Sequence, residues 1–270
     1  MISLFNFVKT VVNKKIHVLN LNGVITASES NELLNKNKSV VSLMNRLDEL
    51  MSTDDCVGIL LRINSPGGTA GASEELARTI LKVRQHRIPV VASVIDMACS
   101  GAYMAAACCD YIFANHMSIV GSIGVIMQIP NYTELANKLG VTLNTIKAGN
   151  MKDIGNPTRH MTDEERKYLE ELTDKSHKEF IKLVQENRHI TNVEEMTDGR
   201  IVDASTALEN HLIDAYGTYY DALNYLINRT GLDKDSITIE EDKTHISLLK
   251  RLMNAYSDMV LTLNNPVLKL

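Results

Sequence analysis

The sequence predicts an α/β fold with layered sheets, and three observations carry that prediction. Residues 57–63 and 89–95 are short apolar runs of the kind that form strands buried on both faces. Amphipathic stretches with helical spacing alternate with such runs. Turn chemistry, above all Ser65-Pro66-Gly67-Gly68, marks where one gives way to the next. Of the 270 residues 44% are hydrophobic and 23% charged, enough apolar material for one continuous domain with a sizeable core. A formal net charge of -5, with both signs interspersed, argues against a basic footprint, so no nucleic-acid partner is expected.

The elements follow in order. Residues 1–14 read as an amino-terminal arm or interfacial segment. Lys9 interrupts their apolar stretch, which falls short of the roughly 20 residues a spanning helix needs, and no basic leader or small-residue cleavage site accompanies it. No transmembrane helix or secretory signal is therefore expected, and the location expected is cytoplasmic or peripheral on the cytoplasmic membrane. Residues 16–21 read as a strand ending at Gly23, and Val40, Val41, Leu43, Met44, Leu47 and Leu50 give one helical face over 40–51. After strand 57–63 a helix is expected in which Ser73 caps, Glu74 and Glu75 occupy the first turn, and Leu76, Ile80 and Val83 are buried.

Strand 89–95 leads to Ser100 and then to a small-residue helix over 102–109, which places Ser100 at a strand-to-helix junction. Residues 111–114, 123–129 and 141–146 read as further strands, with a short helix over 134–139. Thr162-Asp163-Glu164-Glu165 is a capping box opening a helix to about residue 188, expected to bury Tyr168, Leu169, Leu172, Phe180, Ile181 and Val184. Two helical segments, 204–212 and 220–228, complete one domain over 15–232. The tail 233–270 keeps Leu248, Leu249, Leu252, Met253, Met259, Val260, Leu261 and Leu263, apolar residues suited to oligomerisation or membrane contact.

The cysteines at 56, 99, 108 and 109 have neither CxxC nor zinc-type Cys/His spacing, so reduced thiols and no metal are expected. No Walker lysine loop or GxGxxG occurs, and no cofactor is expected. The chemistry the residues offer is that of a nucleophilic serine. A serine hydroxyl needs a base to remove its proton and backbone donors to hold an oxyanion. Ser100 has small neighbours in Cys99-Ser100-Gly101-Ala102, the Gly101 N–H points outward if a helix starts there, and Gly67 leaves a backbone N–H open to a ligand. Each motif alone is more often only a cap or a turn.

Together the motifs resemble signal peptide peptidase A, a family of Ser/Lys peptidases with a crotonase/Clp-protease-like fold of repeated strand-strand-helix units. The matching stretches are LLRINSPGG (60–68), PVVASVIDMACSGAY (89–103), GSIGV (121–125) and IKAGNMKDIGNP (146–157), in family order. The resemblance places the nucleophile at Ser100, the general base at Lys152, a lysine-orienting serine at Ser122 and an oxyanion donor at Gly67, beside the Gly101 N–H read from the helix start. It implies ATP-independent hydrolysis of apolar peptides such as cleaved signal peptides, and a homo-oligomer. The sequence departs from the family pattern at Ala102, usually glycine, and at Cys99, commonly alanine.

A lysine serves as a base once desolvation disfavours its ammonium form, whose reference pKa is about 10.4. The rival reading makes Lys152 an exposed loop lysine paired with Asp153. Cys99 is the rival nucleophile, and His86, His116 and His160 leave a Ser-His-Asp triad open. At the level of function the alternatives are a crotonase-like acyl-thioester enzyme and a non-catalytic oligomeric scaffold.

Overall fold

The computed structural model describes residues 13–27 and 40–241. The expected amino-terminal arm up to residue 12 and the apolar tail from 242 lie outside the described residues. The elements in chain order are β1 (Lys14–Ile25), α1 (Val40–Met51), β2 (Cys56–Gly68), α2 (Ala70–Gln85), β3 (Val90–Cys99), α3 (Gly101–Ala107), β4 (Tyr111–Ala114), β5 (Ile119–Gly121), α4 (Thr133–Lys138), α5 (Asp163–Asn187), α6 (Val193–Met196), β6 (Ile201–Asp203), α7 (Ala204–Glu209), β7 (Ala215–Tyr216), α8 (Tyr219–Thr230) and β8 (Ile237–Glu241). This is the α/β architecture read from the sequence.

The main path of the sheet runs β6-β5-β3-β2-β1-β8, with β4 and β7 branching from β3. β1, β2 and β3 are parallel neighbours, with Leu19 opposite Leu61 and Leu61 opposite Ala92. Alternation sorts their side chains to two faces. Leu19, Leu21, Ile59, Leu61, Ile63, Val90, Ala92 and Val94 enter the larger core with α1, α2 and α3. Ile16, Val18, Leu60 and Val91 face Phe113 and the α8 residues Ala222, Leu226 and Ile227. Covering both faces is why these strands read as nearly unbroken apolar runs.

β3 changes partner along its length. Val91–Val94 pair with β4, whereas Met97–Cys99 pair with β5, so the second half of β3 leaves the β4 side and carries the chain on to Ser100.

Three local expectations are corrected. Helix α2 starts at Ala70 with Thr69 at its N-cap, so Ser73 lies inside the helix, buried, its hydroxyl donating to the Thr69 carbonyl at 2.8 Å. That internal bond satisfies the serine that the Ser-Glu-Glu pattern suggested as a cap. Residues 123–129 and 141–146 form no strands and leave most of their side chains in solvent: Ile126 is 82% exposed and Ile146 fully so. Helix α5 has the expected capping box, but its first half leaves Tyr168 and Leu172 exposed; Phe180, Leu183 and Val184 are buried in the core and Ile181 packs half-buried against it. In each of the latter two cases the apolar pattern is real: Ile123 and the second half of α5 are buried, and at the exposed positions nothing within the described residues covers it.

Candidate active site

Ser100 follows the last residue of β3 and precedes α3 with φ 52° and ψ −125°, a conformation an L-residue adopts only under strain of order 1–3 kcal/mol. Two hydrogen bonds and the neighbouring strand pairing hold it there. Its N–H donates to the Gly121 carbonyl at 2.8 Å, its carbonyl accepts from the Met104 N–H at 2.9 Å, and β3 is fixed to β5 through Cys99 opposite Gly121.

The glycine turn is pressed against this serine. A Cβ placed on Gly67, whose φ is +96°, would lie 2.7 Å from both the Cys99 carbonyl oxygen and the Gly101 nitrogen, and 2.8 Å from the Ser100 Cβ. A Cβ on Gly101 would lie 2.0 Å from the Ser73 Oγ. Glycine at both positions is thus a condition of the close approach. Ser65, fully buried, shapes the turn: its hydroxyl donates to the Gly23 carbonyl at 2.6 Å and accepts from the Gly67 N–H at 3.1 Å.

Ser122 stands one residue beyond the carbonyl that holds Ser100. It also has positive φ, 51°, and its N–H donates to the Arg200 carbonyl at 2.7 Å. The next carbonyl, on Ile123, accepts from Nε2 of His177 at 3.0 Å, and the same nitrogen reaches the Thr197 carbonyl at 2.8 Å. With two carbonyls as partners, Nε2 must carry the proton. His177 was not singled out in the sequence, where a lone histidine on a polar helix gives no signal.

The structure therefore brings Ser100, Gly67, Gly101 and Ser122 together. It does not bring Lys152 to them: the lysine sits on an exposed turn, its N–H bonded to the Gly149 carbonyl at 3.1 Å, and among the described residues no hydrogen bond joins its amine to Ser100 or Ser122. Nor is Lys152 paired with Asp153. That carboxylate is taken by Arg159 and Lys147, which hold it far below the ordinary carboxylate range. Arg159 in turn grips Glu165, the capping-box residue, and lowers its pKa to about 2. No pattern rule picks out Arg159 from the sequence.

The rivals fall elsewhere. Cys99 is buried, its thiol pushed up by desolvation and placed 3.9 Å from the Ile119 carbonyl. All four cysteines are free and buried, with Cys56 raised to about 11 and Cys108 to about 12 by the same cause. His86 bonds the Lys82 carbonyl, His116 stacks on Tyr216, and His160 lies 3.8 Å from Glu134. Among the described residues no group of His, Cys, Asp and Glu is arranged to hold a metal, and no helix is long and apolar enough to cross a membrane.

A strained serine set between a buried strand and a helix, flush with a glycine turn, is the arrangement by which α/β hydrolytic enzymes expose a nucleophile. Comparison with known proteins makes the class specific. The model of Peptidase family S49 matches residues 82–233. The chain is 42% identical over 205 residues to "Putative protease MJ0651" of Methanocaldococcus jannaschii, covering 74% of this chain and 66% of that one. It is 37% identical over 236 residues to "Putative signal peptide peptidase SppA" of Enterococcus faecium, covering 86% and 69%. Against "Protease 4" of Haemophilus influenzae the identity is 29% over 218 residues, 79% of this chain but 34% of that protein. The chain belongs to Peptidase family S49.

Proposed function

We propose that this chain is an ATP-independent serine endopeptidase that cuts extended apolar peptides, cleaved signal peptides among them, with Ser100 as nucleophile and Lys152 as general base. The observation that carries the reading is the strained Ser100 packed against Gly67 and Gly101 at the end of β3. The name of the enterococcal relative supports the substrate class.

In the reaction the neutral Lys152 amine takes the Ser100 hydroxyl proton as Oγ bonds to the scissile carbonyl carbon. The resulting oxyanion accepts from the Gly101 N–H and from the Gly67 N–H, which turns from the Ser65 hydroxyl. Collapse breaks the C–N bond, and the lysine ammonium returns the proton to the leaving amine. Water, deprotonated by the same lysine, then releases the acyl group. Ser122 orients the amine by hydrogen bonding.

Lys152 lies on a segment whose apolar side chains, Ile126, Leu135, Leu139, Val141, Leu143 and Ile146, are exposed. Covering that much apolar surface favours association. We infer a homo-oligomer in which a second copy covers the segment and excludes water from the lysine, so that the dyad is complete in the assembly.

A fluorophosphonate, which phosphonylates an activated serine far faster than an ordinary hydroxyl, tests the reading. The expected result is one label per chain, located on Ser100 by peptide mass spectrometry and absent from Ser100→Ala. A label elsewhere, or none on an assembled and folded protein, contradicts it.

A further inference from the structure

Resting on the reading that Lys152 is the base, we propose that Arg159, together with Lys147, is a positioning residue that keeps the Asp153 carboxylate away from the Lys152 amine. Asp153 is the next residue in the chain, and its carboxylate is the nearest in sequence that an ammonium on Lys152 would pair with. A lysine so paired keeps its proton to higher pH and makes a poorer base.

The geometry removes that partner. Asp153 Oδ1 accepts from Lys147 Nζ at 2.5 Å and from Arg159 Nη2 at 2.9 Å, and Oδ2 accepts from Arg159 Nε at 2.9 Å. Nη2 of Arg159 also donates to the Asp153 backbone carbonyl at 3.0 Å. The guanidinium is anchored by Glu165, with Nη1 to Oε2 at 2.8 Å and Nη2 to Oε1 at 2.5 Å, and by the His160 carbonyl at 3.1 Å. Glu165 is itself buried and fixed, accepting from the Thr162 N–H at 2.9 Å as part of the α5 capping box.

Two cations thus face two carboxylates, and both oxygens of Asp153 are occupied. The other ionisable groups about this cluster are Glu164, which lines the same hollow as Lys147 and Arg159, and His160, which lies toward Glu134. Among the described residues Lys152 has no ion pair. A planar fork bonding two carboxylates at once is a task for arginine; lysine offers a single point charge.

The test is the pH dependence of kcat and KM on a fluorogenic apolar peptide, from pH 6 to 10.5, for wild type, Lys147→Met, Arg159→Ala, Arg159→Lys and the double variant Arg159→Ala/Asp153→Asn, each checked for folding. Freeing Asp153 to pair with Lys152 should move the midpoint of the alkaline rise up by about 0.5 to 1 pH unit, the size of a partly exposed ion pair. At pH 8 that is a loss of about three- to tenfold in kcat with KM unchanged. Arg159→Lys should shift the midpoint by less than Arg159→Ala, and the added Asp153→Asn should return it to the wild-type value. Lys147 is a third exposed, so its variant keeps the test in hand if Arg159→Ala does not fold. An unmoved midpoint in Lys147→Met and Arg159→Ala, or a double variant that stays shifted, overturns the proposal alone. An alkaline rise that persists in Lys152→Ala overturns the base assignment and the proposal with it.

Discussion

Replacing Gly67 by alanine puts the packing of the glycine turn on Ser100 to a quantitative test. The added methyl would sit 2.7 Å from the Cys99 carbonyl oxygen and the Gly101 nitrogen and 2.8 Å from the Ser100 Cβ, on a residue whose φ is +96°. Two of these three neighbours are backbone atoms, held by the β3–β5 pairing and the start of α3, so they cannot yield as the end of a flexible side chain would. Placing an alanine in the left-handed region costs about 1–2 kcal/mol. Forcing a methyl into closed packing adds about 1–3 kcal/mol. The expected destabilisation of Gly67→Ala is therefore about 2–5 kcal/mol, with Ser100 displaced. Gly71→Ala is the matched control, because nothing lies within 4 Å of its Cβ position and it sits in the first turn of α2; there alanine should be neutral or stabilise by up to about 1 kcal/mol. Urea unfolding gives both stabilities, and the rate of fluorophosphonate labelling reports on the serine. Gly67→Ala with wild-type stability and labelling rate would refute the packing argument.

Three further outcomes are expected. Cys99→Ala should keep at least half of the wild-type kcat/KM, since burial raises the thiol and its sulfur faces the Ile119 carbonyl; a loss of tenfold or more would make Cys99 part of the chemistry. The Arg159 contacts lower the Glu165 pKa to about 2, well below the ordinary glutamate value of 4.5, so their stabilising effect is fully present above about pH 4.5 and is lost as pH falls through about 2. Thermal melts between pH 6 and 2 should show a shallower decline for Glu165→Gln than for wild type, and identical slopes would contradict this. Leu139→Glu with Ile146→Glu, both at highly exposed positions, should leave the chain folded while sedimentation shows a smaller assembly and peptide hydrolysis falls at least tenfold; an unchanged sedimentation coefficient would remove the inferred interface.

Much of this fold is legible because burial writes itself into sequence. Strands covered on both faces, β2 and β3, show as apolar runs, and α5 begins where the reciprocal bonds of Thr162 and Glu165 demand. Residues 123–129 and 141–146 carry the same apolar signal yet form no strands, because hydrophobicity records that a side chain is to be covered, not by what. Ser73 looked like a cap because Ser-Glu-Glu suits a first turn, whereas Ala70 and Gly71 were already helical and the serine found its partner one turn back.

At the site the sequence motifs located Ser100, Gly67, Gly101 and Ser122, which the fold does bring together. Small residues at fixed offsets are what such a close approach requires. The strained φ of Ser100, the Ser65 hydroxyl under the turn and the Asp153–Arg159–Glu165 chain depend on side-chain reach between loops and follow no periodicity.

The dyad itself is tested most directly by hydrolysis of a fluorogenic apolar peptide at pH 8 to 9 by wild type, Ser100→Ala and Lys152→Ala, each confirmed to be folded and assembled as the wild type is. The account predicts that both variants lose at least a thousandfold in kcat/KM. A Lys152→Ala protein that retains activity within about tenfold of wild type would contradict it.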